Sequence, residues 1–240
     1  MTKHELYPIA FEIAGDFGMF ADPADGLPVA KSYPLPPKTA CYGMINSIIG
    51  GDDEKTGLQI EPIAVATCNF PTYEVWATNS KTHLRKGSSI KFDSPLQMCL
   101  GILSKPRFQI LALVRSKIGG RAHSFQSQFF RRIAKGQSRY PVSLGHKEFM
   151  AIELTIPTTP VEINYSHVIP SFLDALIYRT DVPPEKRGKF KNNVPIVQGM
   201  LKYSDVDVCL KDDLLTFSNP EFQQQLEYIY GRIKTGVRVQ

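Results

Sequence analysis

The sequence predicts an α+β protein, and three observations predict it. Segments with alternating apolar residues recur along the chain, two stretches carry apolar residues at helical spacing, and glycine and proline clusters separate them. The chain has 240 residues, 42% of them hydrophobic, so it can bury one sizeable core. No run of about 18 apolar residues occurs, and the polar start is unlike a secretory signal. We therefore expect a cytoplasmic protein without a membrane-spanning helix.

The first predicted elements are a strand over residues 5–14 and a helix over residues 38–49, joined by a turn-rich loop. Pro37 stands where a first-turn proline is tolerated, and Gly50-Gly51 ends the helix. The apolar residues of this helix fall on one face: Cys41, Met44, Ile45, Ile48 and Ile49.

Residues 58–70 and 72–78 are predicted to be strands. The polar stretch 79–94 that follows is predicted to be a projecting loop or hairpin. Residues 107–115 form the clearest strand, because their nearly continuous apolar character is typical of a strand buried on both faces.

A second helix is predicted over residues 123–135, capped by Gly136, and a strand over residues 146–156. The inward residues of this helix are predicted to be Phe125, Phe129, Phe130 and Ile133. The resulting order, β-α-β-β-α-β, is that of the ferredoxin-like fold, which RNA-recognition modules also use. We expect this domain to span residues 1–156, with a smaller β-rich region over 157–240.

The charges of the chain are strongly segregated. Between Lys81 and Lys147 lie fourteen Lys or Arg residues and one acid, Asp93, although the net charge of the whole chain is only +5. Such segregation favours a polyanionic partner. A basic face turned towards an acidic neighbouring protein is the alternative interpretation.

The four cysteines, Cys41, Cys68, Cys99 and Cys209, are scattered and form no C-x-x-C pair. We therefore expect reduced, mostly buried thiols. We expect neither a metal site nor a cofactor, since no cluster of Asp, Glu, His or Cys has metal-ligand spacing.

The segment from Phe130 to Phe149 combines basic residues with two glycines. Gly136 and Gly145 would let a phosphate approach main-chain N–H groups closely, and basic side chains surround them. A helix C-terminus with a glycine cap and cations that complement the helix dipole is the alternative.

Two blocks of this sequence resemble the CRISPR-associated protein family five. The first comprises FEIAGDFGMF (11–20), SYPLP (32–36) and GMINSI (43–48); the second comprises FRRIAKGQS (130–138) and LGHKEF (144–149). Members of this family are the RNA-binding subunits at the foot of Cascade, the type I interference complex, and the second block is most similar to type I-C members.

The resemblance implies a ferredoxin-like RNA-binding domain with a glycine-rich loop and a β-hairpin thumb, here around residues 79–105. It implies that the protein binds the 5′ handle of crRNA and that the thumb contacts the first Cascade backbone subunit. Residues 157–240 would contact the large subunit or the target DNA next to the protospacer. The candidate RNA contacts are Ser32, Tyr33, Lys38, Lys81, Arg85, Lys86, Lys91, Arg131, Arg132, Lys135, Gly136, Gln137, Gly145, His146 and Lys147. Three tyrosines are candidates for stacking on bases, with Tyr33 favoured: Tyr33, Tyr42 and Tyr140.

Type I-C members also cut the precursor crRNA without metal, using a Tyr and a Lys-His pair. The matching positions here read Ile49, Ser124 and Phe125, so the pattern favours a non-catalytic subunit. Weak substitutes exist in Tyr42, His123 and Arg121, and they leave open a metal-independent endoribonuclease that retains its product.

Overall fold

The computed structural model describes residues 5–20, 29–50, 57–69, 72–80, 83–86, 89–92, 96–157, 196–197, 200–204, 206–212 and 214–236.

A six-stranded antiparallel sheet forms the centre of the molecule. In sheet order its strands are β10 (Glu153–Thr155), β1 (Glu5–Ala14), β9 (Arg107–Ser116), β4 (Leu58–Thr67), β12 (Met200–Lys202) and β11 (Ile196–Val197). Helix α1 (Lys38–Ile49) connects β1 to β4, and helix α2 (Arg121–Ala134) connects β9 to β10. The predicted β-α-β-β-α-β order and the ferredoxin-like α+β fold are thereby confirmed.

Strand β9 is the central strand that its apolar sequence predicts. It pairs with β1 on one side and with β4 on the other, and residues 108–114 are buried throughout. Phe11 of β1 lies opposite Ile110 of β9 and packs edge-on against Phe129 of α2, with ring centroids 5.5 Å apart. Because side chains alternate along a strand, the odd-numbered residues of β1 face the helices.

Helix α1 has the predicted bounds, and its buried residues are the five apolar residues that the spacing predicts. Gly50 ends it with a φ of 75°. Helix α2 begins two residues earlier than predicted, at Arg121, after Gly120 with a φ of 76°. The N–H of Gly120 donates a hydrogen bond to the Glu5 carboxylate at 2.9 Å, which ties the start of the helix to β1.

A long hairpin lies between β4 and β9. Strands β5 (Thr72–Ser80) and β8 (Leu96–Ser104) pair over their whole length. Between them, β6 (His83–Lys86) and β7 (Ser89–Phe92) pair with each other, so the hairpin expected over 79–94 is present in the backbone. The other edge of β8 pairs with β2 (Phe17–Gly18) and β3 (Val29–Lys31).

The C-terminal residues pack against the same sheet. They form the hairpin β13 (Val208–Lys211) and β14 (Leu214–Phe217) and the helix α3 (Pro220–Lys234). The Leu215 N–H donates to Oε1 of Gln109 at 3.1 Å. Gln109 alternates with residues that face α2, so β14 covers the opposite face of the sheet. The ring of Tyr230 in α3 packs edge-on against the ring of Phe130 in α2, with ring centroids 5.6 Å apart.

The predicted strand over residues 146–156 is wrong for most of its length, since only Glu153–Thr155 pairs with β1. Gly145, directly before this segment, has a φ of 89°, a conformation that favours glycine. The Phe149 N–H then donates to the His146 carbonyl at 3.0 Å, closing a turn where a strand was expected.

Cys41 and Cys68 are buried, while Cys99 is half-buried and Cys209 is exposed. Burial raises the pKa of the Cys41 thiol to about 12, so it remains protonated at neutral pH. Within the part of the chain that the structure describes, all helices are too short or too polar to cross a bilayer.

Candidate nucleic-acid interface

Helix α2 presents a basic stripe to solvent. Four of its exposed residues and the C-cap Lys135 recur at spacings of three and four, which places them along one side of the helix. We call these residues the α2 stripe: Arg121, Ser124, Gln128, Arg131 and Lys135. At 1.5 Å of rise per residue the stripe is about 21 Å long.

The α2 stripe contains cations at both ends and hydrogen-bonding groups between them. The Gln128 amide donates to the Ser124 hydroxyl at 3.3 Å, so the two middle side chains are neighbours. Helix α2 contains no acidic residue. Within the described part of the chain, Arg131 and Lys135 form no ion pair. Their charge is therefore available to an external anion.

Gly136, which follows α2, caps the C-terminus of the helix. The Gly136 N–H donates to the Ile133 carbonyl at 2.9 Å, and the Gln137 N–H donates to the Arg132 carbonyl at 2.9 Å. These two bonds form a Schellman cap, and the φ of 61° at Gly136 is the conformation that such a cap needs. The alternative interpretation of this glycine, a cap at a helix C-terminus, is therefore the one observed. Phosphate would have to bind to side chains here, because both N–H groups are already bonded.

An exposed cation–aromatic pair follows the cap. The backbone N–H groups of Arg139 and Tyr140 donate to the carbonyls of Ile48 and Ser47, both at 2.9 Å, which fixes the loop to the end of α1. The Arg139 guanidinium lies 5.4 Å from the centre of the Tyr140 ring, and Tyr140 is 55% exposed. Tyr140 can therefore stack on a base, while Arg139 is a candidate contact that the sequence analysis missed.

Gly145, the second glycine of the basic segment, is required by a close contact within the fold. A Cβ on Gly145 would lie 2.1 Å from the Met19 carbonyl oxygen, so no side chain fits there. The Met19 N–H donates to the Leu144 carbonyl at 2.9 Å.

His146 and Lys147, the two candidate contacts that follow Gly145, are exposed. Nδ1 of His146 lies 3.7 Å from the Glu148 carboxylate.

Three candidate contacts from the first half of the chain are buried or paired within the fold. Ser32 and Tyr33 are 1% and 7% exposed. The Ser32 hydroxyl accepts a hydrogen bond from the Phe20 N–H and donates to the Tyr33 carbonyl, both at 2.9 Å. Lys38 lies 3.6 Å from the Glu61 carboxylate. Ser32 and Tyr33 are therefore buried and Lys38 is paired with a carboxylate, and contact of these three residues with RNA stays a prediction.

Some cations of the basic run are neutralised within the fold. Arg107 forms ion pairs with Glu12 and Glu153, and Nη2 of Arg115 lies 2.6 Å from the Glu61 carboxylate. The predicted surface is smaller by these two charges. The four candidates of the hairpin have side chains outside the described residues: Lys81, Arg85, Lys86 and Lys91.

Two of the three positions that match the cutting residues of type I-C members are buried. Ile49 and Phe125 are buried in the core. Of the weak substitutes, Tyr42 is half-buried against the core, whereas Arg121 and His123 are exposed in the first turn of α2. The His123 ring lies 5.6 Å from the ring of Tyr7.

Trp76 is a surface aromatic that the sequence analysis did not single out. It lies on β5 and is 38% exposed. Its ring contacts Phe17 and Phe149, with centroids 4.8 Å and 5.8 Å away. A lone tryptophan in a strand gives no sequence signal of exposure, because alternation predicts only which face it occupies.

No family model matches the chain, and no curated protein matches its sequence. Among solved structures, a CRISPR-associated protein is similar with a TM-score of 0.49 and 12% identity, over 85% of this chain and 94% of that one. A functionally uncharacterized protein from Streptococcus mutans is similar with a TM-score of 0.45 and 14% identity, over 83% of this chain and 94% of that one. A chain described as a CRISPR RNA-guided surveillance complex is similar with a TM-score of 0.37 and 11% identity, over 70% and 67%. These likenesses are distant, so the proposals below rest on the residues of this chain.

Proposed function

We propose that this protein is a CRISPR Cascade subunit that binds and caps the 5′ handle of crRNA and anchors the backbone filament. The observation that carries the proposal is the α2 stripe, which presents cations to solvent on a helix without a single acid. A phosphodiester backbone carries one negative charge per nucleotide, and basic side chains bind it by displacing its counterions.

The chemistry of the stripe suits a single strand. Arginine can bind a phosphate through two parallel hydrogen bonds, and lysine supplies a point charge. The amide of Gln128 and the hydroxyl of Ser124 can hydrogen-bond to phosphate or to the 2′-hydroxyl of ribose. Beyond the C-terminus of α2, Tyr140 offers an exposed ring on which an unpaired base can stack.

Two specific parts of the proposal are binding of the 5′ handle of crRNA and anchoring of the backbone filament. They are supported by the second sequence block that resembles family five, because residues 130–149 include Arg131 and Lys135 of the α2 stripe and the exposed Tyr140. The hairpin of β5 and β8 occupies the place in the chain where the family has its thumb, which would contact the first backbone subunit. In this proposal, residues 157–240 contact the large subunit or the target DNA.

A binding measurement tests the proposal. Purified protein is titrated into fluorescently labelled RNA with the repeat sequence of the host's own CRISPR array, into scrambled RNA of the same length, and into an RNA duplex. We expect the tightest binding to repeat RNA and the weakest to the duplex, because stacking on Tyr140 requires an unpaired base. Equal affinity for repeat and scrambled RNA would contradict a handle-binding role, and no binding to any of them would contradict RNA binding altogether.

The alternative, an endoribonuclease that retains its product, is distinguished by incubating the protein with precursor repeat RNA in EDTA. We expect the RNA to remain intact and bound, since the positions of two of the three cutting residues are apolar and buried. Cleavage at one site that disappears in His123→Ala would establish the enzyme instead.

A further inference from the structure

An aromatic cluster reaches the surface at the base of the β5–β8 hairpin. Phe17 and Phe149 are both in edge-to-face contact range of Trp76, at 4.8 Å and 5.8 Å, and they lie 6.3 Å from each other. Phe149 is buried and Phe17 is half-buried, so the cluster is attached to the core on one side. Trp76, the single tryptophan of the chain, remains 38% exposed on the other side.

The orientation of the Trp76 ring is fixed. Its Nε1–H donates to Oε2 of Glu74 at 3.2 Å, and the Ser104 hydroxyl donates to Oε1 of the same carboxylate at 2.7 Å. These bonds, first that from Ser104 and then that from Trp76, lower the pKa of Glu74, so the carboxylate remains an acceptor at neutral pH. A surface ring that is already ordered loses little conformational entropy when a ligand binds to it.

Charged groups of both signs border the cluster: the Glu74 carboxylate is hydrogen-bonded to the Trp76 ring, and the Glu148 carboxylate lies 3.7 Å from His146. The imidazole of His146 lies 6.0 Å from the Phe149 ring. Lys147 is the next residue and is exposed. Lys105, also exposed, is close enough to Glu74 to help keep that carboxylate charged. Because Glu74 and Glu148 are each engaged by neighbouring groups, Lys105 and Lys147 are the groups near the cluster that can bind phosphates flanking a ligand over Trp76.

We propose that Trp76, held by Phe17 and Phe149, is a stacking platform for one unpaired base of the bound RNA. The platform rests on the proposed RNA-binding function and adds to it a specific contact at the foot of the hairpin, distinct from the α2 stripe. A nucleobase fits the observations better than an aliphatic protein surface does, because the ring is aromatic and already ordered, and because the exposed lysines Lys105 and Lys147 adjoin residues that contact the cluster, Ser104 through Glu74 and His146 through Phe149. Stacking on an aromatic face tolerates any base, so the platform contributes affinity and register more than sequence preference.

The single tryptophan allows a direct test in the unaltered protein. Repeat RNA is titrated while the intrinsic tryptophan emission and the anisotropy of a label on the RNA are recorded together. We expect the emission to be quenched along the same binding curve that the anisotropy gives. Trp76→Ala should weaken RNA binding by about 5- to 100-fold, the range expected for one stacked base, while Trp76→Phe should retain most of the affinity.

Val75→Ala is the matched control, because Val75 is the next residue of β5, is 75% exposed and points to the opposite face of the strand. It should leave RNA affinity unchanged. Bound RNA with unchanged tryptophan emission, or wild-type affinity in Trp76→Ala, would overturn the platform and leave the proposed function standing. Absence of any anisotropy change would overturn both.

Discussion

Gly136 and Gly145 both have a positive φ, but the surroundings of the two residues differ. At Gly136 a Cβ would meet no atom within 4 Å, so the only obstacle to a side chain is the left-handed backbone. At Gly145 a Cβ would lie 2.1 Å from the Met19 carbonyl oxygen, which belongs to a backbone that cannot move aside. The first glycine ends a helix, and the second allows two segments to come close together.

This difference predicts unequal effects of the same substitution. Gly136→Ala should lower the free energy of unfolding by about 1 kcal/mol, the cost of a non-glycine residue in the left-handed region. Gly145→Ala adds a steric clash to that cost and should lower it by about 3 kcal/mol or more. Urea unfolding followed by circular dichroism measures both, and equal losses would contradict the close approach at Met19.

At the scale of elements, an ion-pair network joins three strands of the central sheet. Arg107 of β9 lies between Glu12 of β1 and Glu153 of β10. Glu12 is buried, and its carboxylate would be left without a partner if the guanidinium were removed. The network holds the short edge strand β10 against the sheet.

Arg107→Met should therefore destabilise the protein by about 2–3 kcal/mol, somewhat less than the roughly 3–5 kcal/mol of a fully buried pair, because Arg107 is partly exposed. Arg115→Met is the matched control, since its partner Glu61 is more exposed and also lies near Lys38. That variant should lose no more than about 1 kcal/mol. Thermal unfolding compares them, and the account fails if Arg115→Met proves the more damaging of the two.

The α2 stripe makes a prediction of its own. Gln128→Glu places a negative charge between the cations of the stripe, where it would repel a bound phosphate. RNA affinity should fall about tenfold, or about 1.4 kcal/mol. Gln224→Glu makes the same change on an exposed position of α3 and should bind RNA as the wild type does. A similar loss in both variants would point to a general effect of net charge and not to the stripe.

How far the sequence predicts an element depends on how local its cause is. The five apolar residues of α1 lie within nine positions, so their spacing alone predicts the helix and its buried face. The turn at 146–149 depends on Gly145 meeting Met19, a contact between residues far apart in sequence. Periodicity within the segment carries no information about such a contact, and the predicted strand was wrong there.

The same limit applies to the candidate site. Charge segregation predicts a basic surface, and Arg131 and Lys135 are indeed exposed on it. Ser32, Tyr33 and Trp76 show what composition cannot decide: two polar groups of a turn are buried, and a large aromatic residue is exposed. Their exposure follows from how distant segments pack, which only the folded chain determines.

At the scale of the whole molecule, the cations of the basic run fall into two groups: Arg107 and Arg115 are paired with carboxylates on the sheet, and Arg131 and Lys135 are exposed on α2. The sheet supports α2 from below through Phe125 and Phe129, while the basic stripe faces outwards. We infer that the fold serves to hold a row of cations at fixed spacing.

The salt dependence of RNA binding tests this central claim most directly. The affinity of the full chain for repeat RNA is measured over a range of salt concentrations, and the slope of log affinity against log salt gives the number of phosphates bound. For the double variant Arg131→Gln/Lys135→Gln we predict a slope shallower by about 1.4, about 0.7 for each lost phosphate contact. Lys211→Gln/Lys234→Gln, which changes two exposed lysines of β13 and α3, should keep the wild-type slope. A slope that is unchanged in the α2 variant would contradict the account, because the RNA phosphates would then bind elsewhere.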